Sequence, residues 1–166
     1  MNFIQDKDYS AGLTITDKFI CINTWSGYGL LTIDTNYSPI MLPLDCSNDV
    51  LGEKLVQALA YSNTQLNDEE YGNLFKKSKE SWNSRLEELK SKYNYRSKRQ
   101  LLANMLSCSI YLLNNKLTIK PTYHSKLEGW EGLGESQHVI LSLDNTFDEI
   151  GSGVRLALSR CTSKKF

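Results

Sequence analysis

The sequence predicts an α+β fold, a single domain in which helices pack on an antiparallel or mixed β-sheet. The length of 166 residues fits one ordinary domain, and a chain of this size can bury a sizeable core. Hydrophobic residues make up 40% and charged residues 23%, which excludes a disordered chain. Short β-branched and aromatic runs then occur together with longer amphipathic stretches, so that both strands and helices are expected.

The first half of the chain begins with a predicted strand meander, in which β-branched and aromatic residues favour a pleated surface. Strands are predicted at Leu13–Thr16, Lys18–Thr24, Leu30–Ile33 and Ile40–Leu44. The segment Trp25–Gly29 contains two glycines and predicts a turn. Pro43 cannot donate to a ladder, so the fourth strand is expected to lie at an edge or to end there.

Apolar residues at helical spacing, preceded by capping residues, predict the helices. The predicted helices cover 49–62, Asn67–Phe75, 77–93, a short turn from Ser97 to Leu102 or Met105, and Phe147–Arg160. In the third of these, Trp82, Leu86, Leu89 and Tyr93 share one face. In the last, the stripe of Ile150, Val154, Ala157, Leu158 and Cys161 is expected to face the sheet.

The remaining strands are predicted from apolar runs separated by turn residues. They cover Cys108–Leu113, Leu117–Pro121 and Val139–Leu143. Asn114 and Asn115 tolerate the left-handed region and predict a hairpin between the first two. Residues 122–136 are rich in glutamate and glycine and are expected to form a loop.

One segment of the sequence is repeated. Residues 40–59 and 139–158 align without gaps at an offset of 99, with seven identical positions that include Gly52/Gly151 and Asp45/Asp144. Each copy reads as a strand, a capping residue and a helix with glycine in its first turns. A strand–loop–helix unit used twice is the physical interpretation, and chance similarity of two amphipathic segments is the alternative.

The charge is balanced overall but unevenly distributed. Residues 1–75 contain ten acidic against three basic side chains, a net of −7, whereas residues 76–99 contain nine basic against three acidic ones, a net of +6. Zero net charge argues against a protein that coats nucleic acid. The acidic half predicts a surface complementary to a cationic protein partner.

The sequence offers no catalytic or metal-binding motif. Phosphate-binding loops, nucleophile elbows and zinc-binding helices are all absent from it. Its four cysteines are widely spaced and are expected to be buried reduced thiols. His124 is interpreted as a structural or partner-contacting residue, because no acid or nucleophile is placed near it by a motif. No enzyme activity, cofactor or metal is therefore predicted.

Several short segments together are similar to one family, and they lie between about residue 28 and residue 162. They include Val50–Glu53, Gln57–Leu59, Ser97–Leu102, Ile119–Pro121, Leu127–Trp130 and Glu149–Cys161. On these segments the chain resembles the CdiI immunity proteins of bacterial contact-dependent growth inhibition (CDI). The resemblance is densest in the C-terminal helix.

The resemblance implies a single CdiI-like immunity domain over residues 1–166. Such an antitoxin binds the C-terminal toxin domain of a CdiA protein, commonly a nuclease, and blocks its active site. A cytoplasmic location without contact to a membrane or direct contact to nucleic acid follows, and the start, MNFIQDKDYS, is acidic where a signal peptide is basic. A nuclease that binds phosphates is expected to be basic.

Toxin-binding residues cannot be carried over from the family and are predicted from physics alone. Aromatic residues anchor interfaces and complementary charges steer association. The candidates are Trp25, Tyr28, Tyr37, Glu128, Trp130, Glu131 and Glu135.

Two other function classes stay open at this point. The basic stretch 76–99, with Tyr93 and Tyr95 as stacking surfaces, is compatible with an RNA-binding module. A small enzyme would need His124 beside a carboxylate in an open pocket.

Overall fold

A computed structural model describes residues 2–166, and the sheet it contains is built from short hairpins. The strands are β1 (Asp8–Ile15), β2 (Ile20–Tyr28), β3 (Leu30–Ile33), β4 (Ile40–Leu42), β5 (Leu106–Leu113), β6 (Lys116–Lys126), β7 (Gly129–Gly132), β8 (Val139–Ser142) and β9 (Thr162–Ser163). The helices are α1 (Asn48–Ala60), α2 (Asp68–Lys92), α3 (Lys98–Ala103) and α4 (Phe147–Arg160).

The centre of the sheet is the antiparallel pair β1 and β5, each of which is the first strand of a hairpin. On one side β2 pairs with β1, and both β3 and β4 pair with β2. On the other side β6 pairs with β5, and both β7 and β8 pair with β6. All these pairings are antiparallel, and the two-residue β9 adds a parallel pairing to β6. The predicted α+β class is confirmed.

The repeat predicted from the sequence is confirmed in its secondary structure. In the first copy β4 leads into α1, and in the second β8 leads into α4. The pairing extends this correspondence beyond the aligned 20 residues, because β1–β2–β3–β4–α1 and β5–β6–β7–β8–α4 have the same order of pairing. Helices α2 and α3 have no counterpart in the second half and lie between the two copies in the chain.

The two repeated helices contact each other through the repeated glycines. A Cβ atom built on Gly52 would lie 2.0 Å from the carbonyl oxygen of Phe147, and one on Gly151 would lie 2.0 Å from that of Asn48. Each helix therefore needs a residue without a side chain where the first turn of the other crosses it. Ser47 and Thr146 cap the two helices by accepting hydrogen bonds from backbone N–H groups in the first turn.

Hydrophobic cores form on both faces of the sheet. The larger one lies between the sheet and the helices α1 and α4, where Leu13, Leu55 and Ile119 have no exposed surface. The smaller one lies under α2 and α3 on the opposite side and includes Phe19 and Leu86.

The stripe predicted on α4 is buried at four of its five positions. Ile150, Val154 and Ala157 have no exposed surface, Leu158 is 8% exposed, and Cys161 is half-buried at the end of the helix. The spacing thus identified the face of α4 that meets the sheet.

Replacing Leu158 by alanine should lower the free energy of unfolding by about 2 kcal/mol, the low end of the usual range because its edge is exposed. Leu156 on the same helix is 46% exposed and supplies the matched control, for which a change within about 0.5 kcal/mol is expected. Urea unfolding of both variants measures this difference. Equal losses for the two leucines would contradict the assignment of the buried face.

Two sequence predictions in the first half of the chain were wrong. The helices predicted at Asn67–Phe75 and 77–93 are one helix, α2, whose capping box joins Asn67 and Glu70. The turn predicted at Trp25–Gly29 is mostly strand, because Gly27 pairs with Leu31 and only the next glycine, at φ 77°, turns the chain.

The loop predicted at residues 122–136 was also wrong. β6 runs on to Lys126 and forms a hairpin with β7, which is Gly129–Gly132. The glutamate and glycine residues of this segment give no alternating apolar pattern. A short strand forms there nevertheless, because its hydrogen bonds to β6 do not require that pattern. The hairpin predicted at Asn114 and Asn115 is confirmed, and both residues have positive φ.

All four cysteines are free thiols, although only two of them are buried. Cys21 and Cys108 are buried, and Cys46 and Cys161 are half-buried. The Sγ atoms of Cys108 and Cys161 lie 3.7 Å apart, and the hydrogen bond from Cys108 lowers the pKa of Cys161. Within residues 2–166 no helix is long and apolar enough to cross a membrane.

Candidate interaction groove

A groove of about 220 Å³ lies between helix α2 and the face of the sheet opposite to α1 and α4. All three tryptophans of the chain line it, namely Trp25 from β2, Trp82 from α2 and Trp130 from β7. Each of them is half-buried, so that part of every indole is accessible. Rigid aromatic rings with accessible surface are the usual anchors of protein interfaces.

The floor of the groove consists of small and polar residues from β1 and β2. Gly12 lies diagonally across from Trp25, and a Cβ atom there would come within 2.4 Å of the indole ring. The indole of Trp25 therefore occupies the space that a side chain at position 12 would fill, which only glycine permits. Thr14, Cys21 and Asn23 form the rest of the floor near α2.

Arg85 forms the polar part of the α2 wall. Its Nη2 atom donates a hydrogen bond of 2.7 Å to Oδ1 of Asn23 on the floor, and its side chain is half-buried. Burial lowers the pKa of the Arg85 guanidinium from its ordinary value. The same burial raises the pKa of the nearby Cys21 thiol to about 11, so this cysteine stays protonated at neutral pH.

Glu128, in the turn between β6 and β7, bonds to a tryptophan of the groove wall and to a lysine of α3. Its Oε1 accepts a hydrogen bond of 2.9 Å from Nε1 of Trp82 and forms an ion pair of 3.1 Å with Nζ of Lys98. The hydrogen bond from Trp82, followed by that from Lys98, lowers the pKa of this carboxyl group. The carboxylate of Glu128 is thus already engaged within the chain.

Trp130 is held in place by contacts with Met105 and His124. Its Nε1 donates to the carbonyl oxygen of Met105 at 2.8 Å, and its ring stacks on His124 with centroids 4.5 Å apart. His124 has no exposed surface, and one ring nitrogen lies 2.9 Å from the carbonyl oxygen of Leu127. His124 therefore supports Trp130 and lies in no open pocket beside a carboxylate, which was the arrangement that the small-enzyme alternative required.

The other predicted residues lie outside this groove. Tyr28 is 66% exposed at the end of β2, and Tyr37 is 38% exposed and stacks on Tyr61. Glu131 and Glu135 are exposed on β7 and on the short 3₁₀ turn that follows it. The structure thus brings Trp25 and Trp130 together in the groove, whereas Glu128 contacts it only through Trp82.

Sequence reasoning missed Trp82 and Arg85 as groove residues. Both lie in the predicted helix 77–93, Trp82 on its apolar face and Arg85 on the opposite, charged face. Residues three apart are neighbours on a helix, so an arginine beside a tryptophan was the available signal.

The basic stretch 76–99 does not offer the stacking surfaces that the RNA-binding alternative required. Tyr95 is 7% exposed, its hydroxyl donates a hydrogen bond to the carboxylate of Asp17, and its oxygen lies 2.8 Å from the hydroxyl oxygen of Thr16. Tyr93 packs its ring against Phe19, with centroids 4.5 Å apart. Tyr95 is therefore closed to a base, and the half-buried Tyr93 has one contact side taken by Phe19, so the two rings do not form a stacking surface together. Within residues 2–166 no cluster of side chains could hold a metal ion.

Comparison with known proteins decides the family. The family model described as CDI immunity protein (CdiI) matches residues 9–161. The chain belongs to the CdiI family. The immunity protein CdiI-YPIII of Yersinia pseudotuberculosis serotype O:3 (strain YPIII) is 36% identical to this chain over 170 aligned positions. The alignment covers 93% of this chain and 96% of the relative.

Two solved structures extend the CdiI assignment to the fold. A protein of unknown function from Neisseria meningitidis, NMB0488, superposes with a TM-score of 0.92 at 41% identity, covering 97% of this chain and 99% of that one. A chain in a CdiA-CT/CdiI toxin and immunity complex from Yersinia pseudotuberculosis superposes with a TM-score of 0.83 at 32% identity, covering 94% and 98%. The resemblance seen in the sequence is confirmed.

Proposed function

We propose that this CdiI-family protein neutralises the C-terminal toxin domain of its cognate CdiA protein by binding it through the tryptophan-lined groove. The observation that carries the proposal is the similarity over 94% of the chain to a structure solved as a toxin and immunity complex. The groove supplies accessible indole rings on a rigid sheet and helix, which suits a tight interface. The bound immunity protein blocks the active site of the toxin.

The distribution of charge supports a basic nuclease as the toxin. The two ion pairs within residues 2–166 are Lys90–Glu87 and Lys98–Glu128, so none of the ten acids of residues 1–75 is paired. Eight of these acids are exposed, whereas Asp8 and Asp34 accept hydrogen bonds inside the protein. An acidic surface steers a phosphate-binding, cationic partner toward the complex. The proposed site of action is the cytoplasm, where nucleic acid is exposed to a delivered nuclease.

Co-expression with the toxin domain encoded immediately upstream tests the function. Cells producing the toxin should survive when this chain is present and die when an unrelated immunity protein replaces it. The purified pair should elute as one complex from a sizing column. Equal killing with and without this chain, together with separate elution, would contradict the proposal.

Titration of toxin activity separates binding from catalysis. If this chain acts by occupancy alone, degradation of RNA or DNA by the toxin should be abolished at one immunity protein per toxin. Half that amount should leave half of the activity, and prolonged incubation should not reduce it further. A loss of toxin activity that continues with time at sub-stoichiometric amounts would instead show turnover.

A further inference from the structure

The Arg85 guanidinium is the one cation among the groove-lining residues, and no carboxylate of residues 2–166 forms an ion pair with it. Both ion pairs within residues 2–166 lie elsewhere, and the hydrogen bond that Arg85 makes is to the neutral amide of Asn23. Glu88 also lines the groove, one helical turn further along α2, where its charge favours the charged form of Arg85 from a distance but does not come within ion-pair distance. Arg85 thus retains its charge without a contacting carboxylate.

A half-buried charge without a contacting counter-ion is costly, since it loses hydration and gains only the weaker attraction of a distant opposite charge. The guanidinium carries five N–H donors in a planar fork that matches a carboxylate bidentately. Asn23 takes one of these donors and holds the group over the floor of the groove. The position is therefore organised to receive an anion from outside the chain.

The size and lining of the groove indicate what kind of molecule brings that anion. A volume of about 220 Å³ is below the ~300–1,000 Å³ of typical small-molecule sites and suits one or two side chains. A nucleic acid would need several cations along its backbone, whereas the groove has one. The indoles of Trp25, Trp82 and Trp130 enclose the site with apolar surface, as in a protein interface.

We propose that the groove receives an acidic side chain of the cognate toxin, whose carboxylate pairs with Arg85 between the indole rings. This inference rests on the proposed function and makes Arg85 a determinant of toxin specificity. Long-range attraction between the acidic surface and a basic toxin brings the partners together. The pair at Arg85 has the opposite arrangement of charges, with the cation on this chain and the anion on the toxin, and it fixes how the two partners align. A toxin without an acid at that point leaves the guanidinium buried and unpaired.

The test measures binding of the catalytically inactive toxin domain encoded immediately upstream to three variants of the full chain. Arg85→Gln should dissociate at least 30-fold faster than the unaltered protein. Arg85→Lys, which keeps the charge but loses the fork, should dissociate about tenfold faster. Arg99→Gln removes the same charge from an exposed position on α3 and should stay within twofold.

A scan of the toxin identifies the partner of Arg85 and does not depend on the folding of any Arg85 variant. Each Asp or Glu of the toxin domain is changed to its amide and measured against the unaltered immunity protein. One of these changes should weaken binding at least 30-fold. In combination with Arg85→Lys it should cost no more than the larger of the two changes alone, as expected for two groups that contact each other.

The possible outcomes distinguish this inference from the function on which it rests. If the unaltered chain does not bind the toxin, the proposed function fails. If it binds, and Arg85→Gln melts normally and dissociates within twofold of the unaltered rate, the inference is overturned while the function stands. The inference is also overturned if every acid of the toxin can be amidated without a tenfold loss of binding.

Discussion

Replacing Gly151 by alanine should lower the free energy of unfolding by about 3 kcal/mol, the upper end of the range for overpacked sites. The new Cβ atom would lie 2.0 Å from the carbonyl oxygen of Asn48, well inside van der Waals contact. The obstacle is backbone at the start of another helix, so no side chain can rotate away. Helices α1 and α4 would have to separate, and the core beneath them would lose contact along both.

Gly72 provides the control, because it is a helical glycine with nothing within 4 Å of its would-be Cβ atom. Gly72→Ala should raise stability by about 0.5–1 kcal/mol, since alanine has the higher helix propensity. Urea unfolding of the two variants tests both the loss of stability expected for Gly151→Ala and the gain expected for Gly72→Ala. A Gly151→Ala protein as stable as the unaltered chain would show that the two helices separate without cost.

Replacing Trp130 by alanine should weaken both the fold and the toxin complex. Removal of the ring exposes the buried face of His124 and leaves the carbonyl oxygen of Met105 without its 2.8 Å donor. A loss of about 3 kcal/mol in unfolding free energy is expected for a large aromatic residue. If the groove is the interface, the folded variant should also release the toxin about 30-fold faster, which corresponds to about 2 kcal/mol.

Trp130→Phe separates the two effects. Phenylalanine keeps a ring against His124 but cannot donate to Met105, so the stability loss should fall to about 1 kcal/mol. Toxin dissociation is measured by surface binding at a temperature where melting curves show each variant to be fully folded. If folded Trp130→Ala releases the toxin at the unaltered rate, the groove is not the contact surface.

Local sequence patterns were sufficient to predict those elements whose first and last residues are marked by capping or turn residues. Helix α4 begins and ends at the predicted residues, Phe147 and Arg160, because the Thr146 capping box and a continuous apolar stripe define it. The β5–β6 hairpin followed from Asn114 and Asn115. β7 could not be predicted, since the sequence of Gly129–Gly132 favours a loop and the strand exists only through its pairing with β6.

The groove was partly predictable for the same reason. Trp25 and Trp130 could be named as interface candidates because aromatic residues are common anchors. Their meeting in one groove depends on sheet pairing and on where α2 crosses the sheet, neither of which a local pattern encodes. Arg85 could be singled out only from the tertiary structure, in which no carboxylate of residues 2–166 lies within ion-pair distance of it.

The repeat has a consequence for how the molecule divides its tasks. Gly52 and Gly151 join the two copies, and residues 61–105, which belong to neither copy, supply the α2 wall of the groove with Trp82 and Arg85. The glycine contact lies on one face of the sheet and the groove on the other. If the groove binds the toxin as proposed, side chains on this linking segment can change which partner is recognised without altering the contact that assembles the two halves, so that one scaffold serves several specificities.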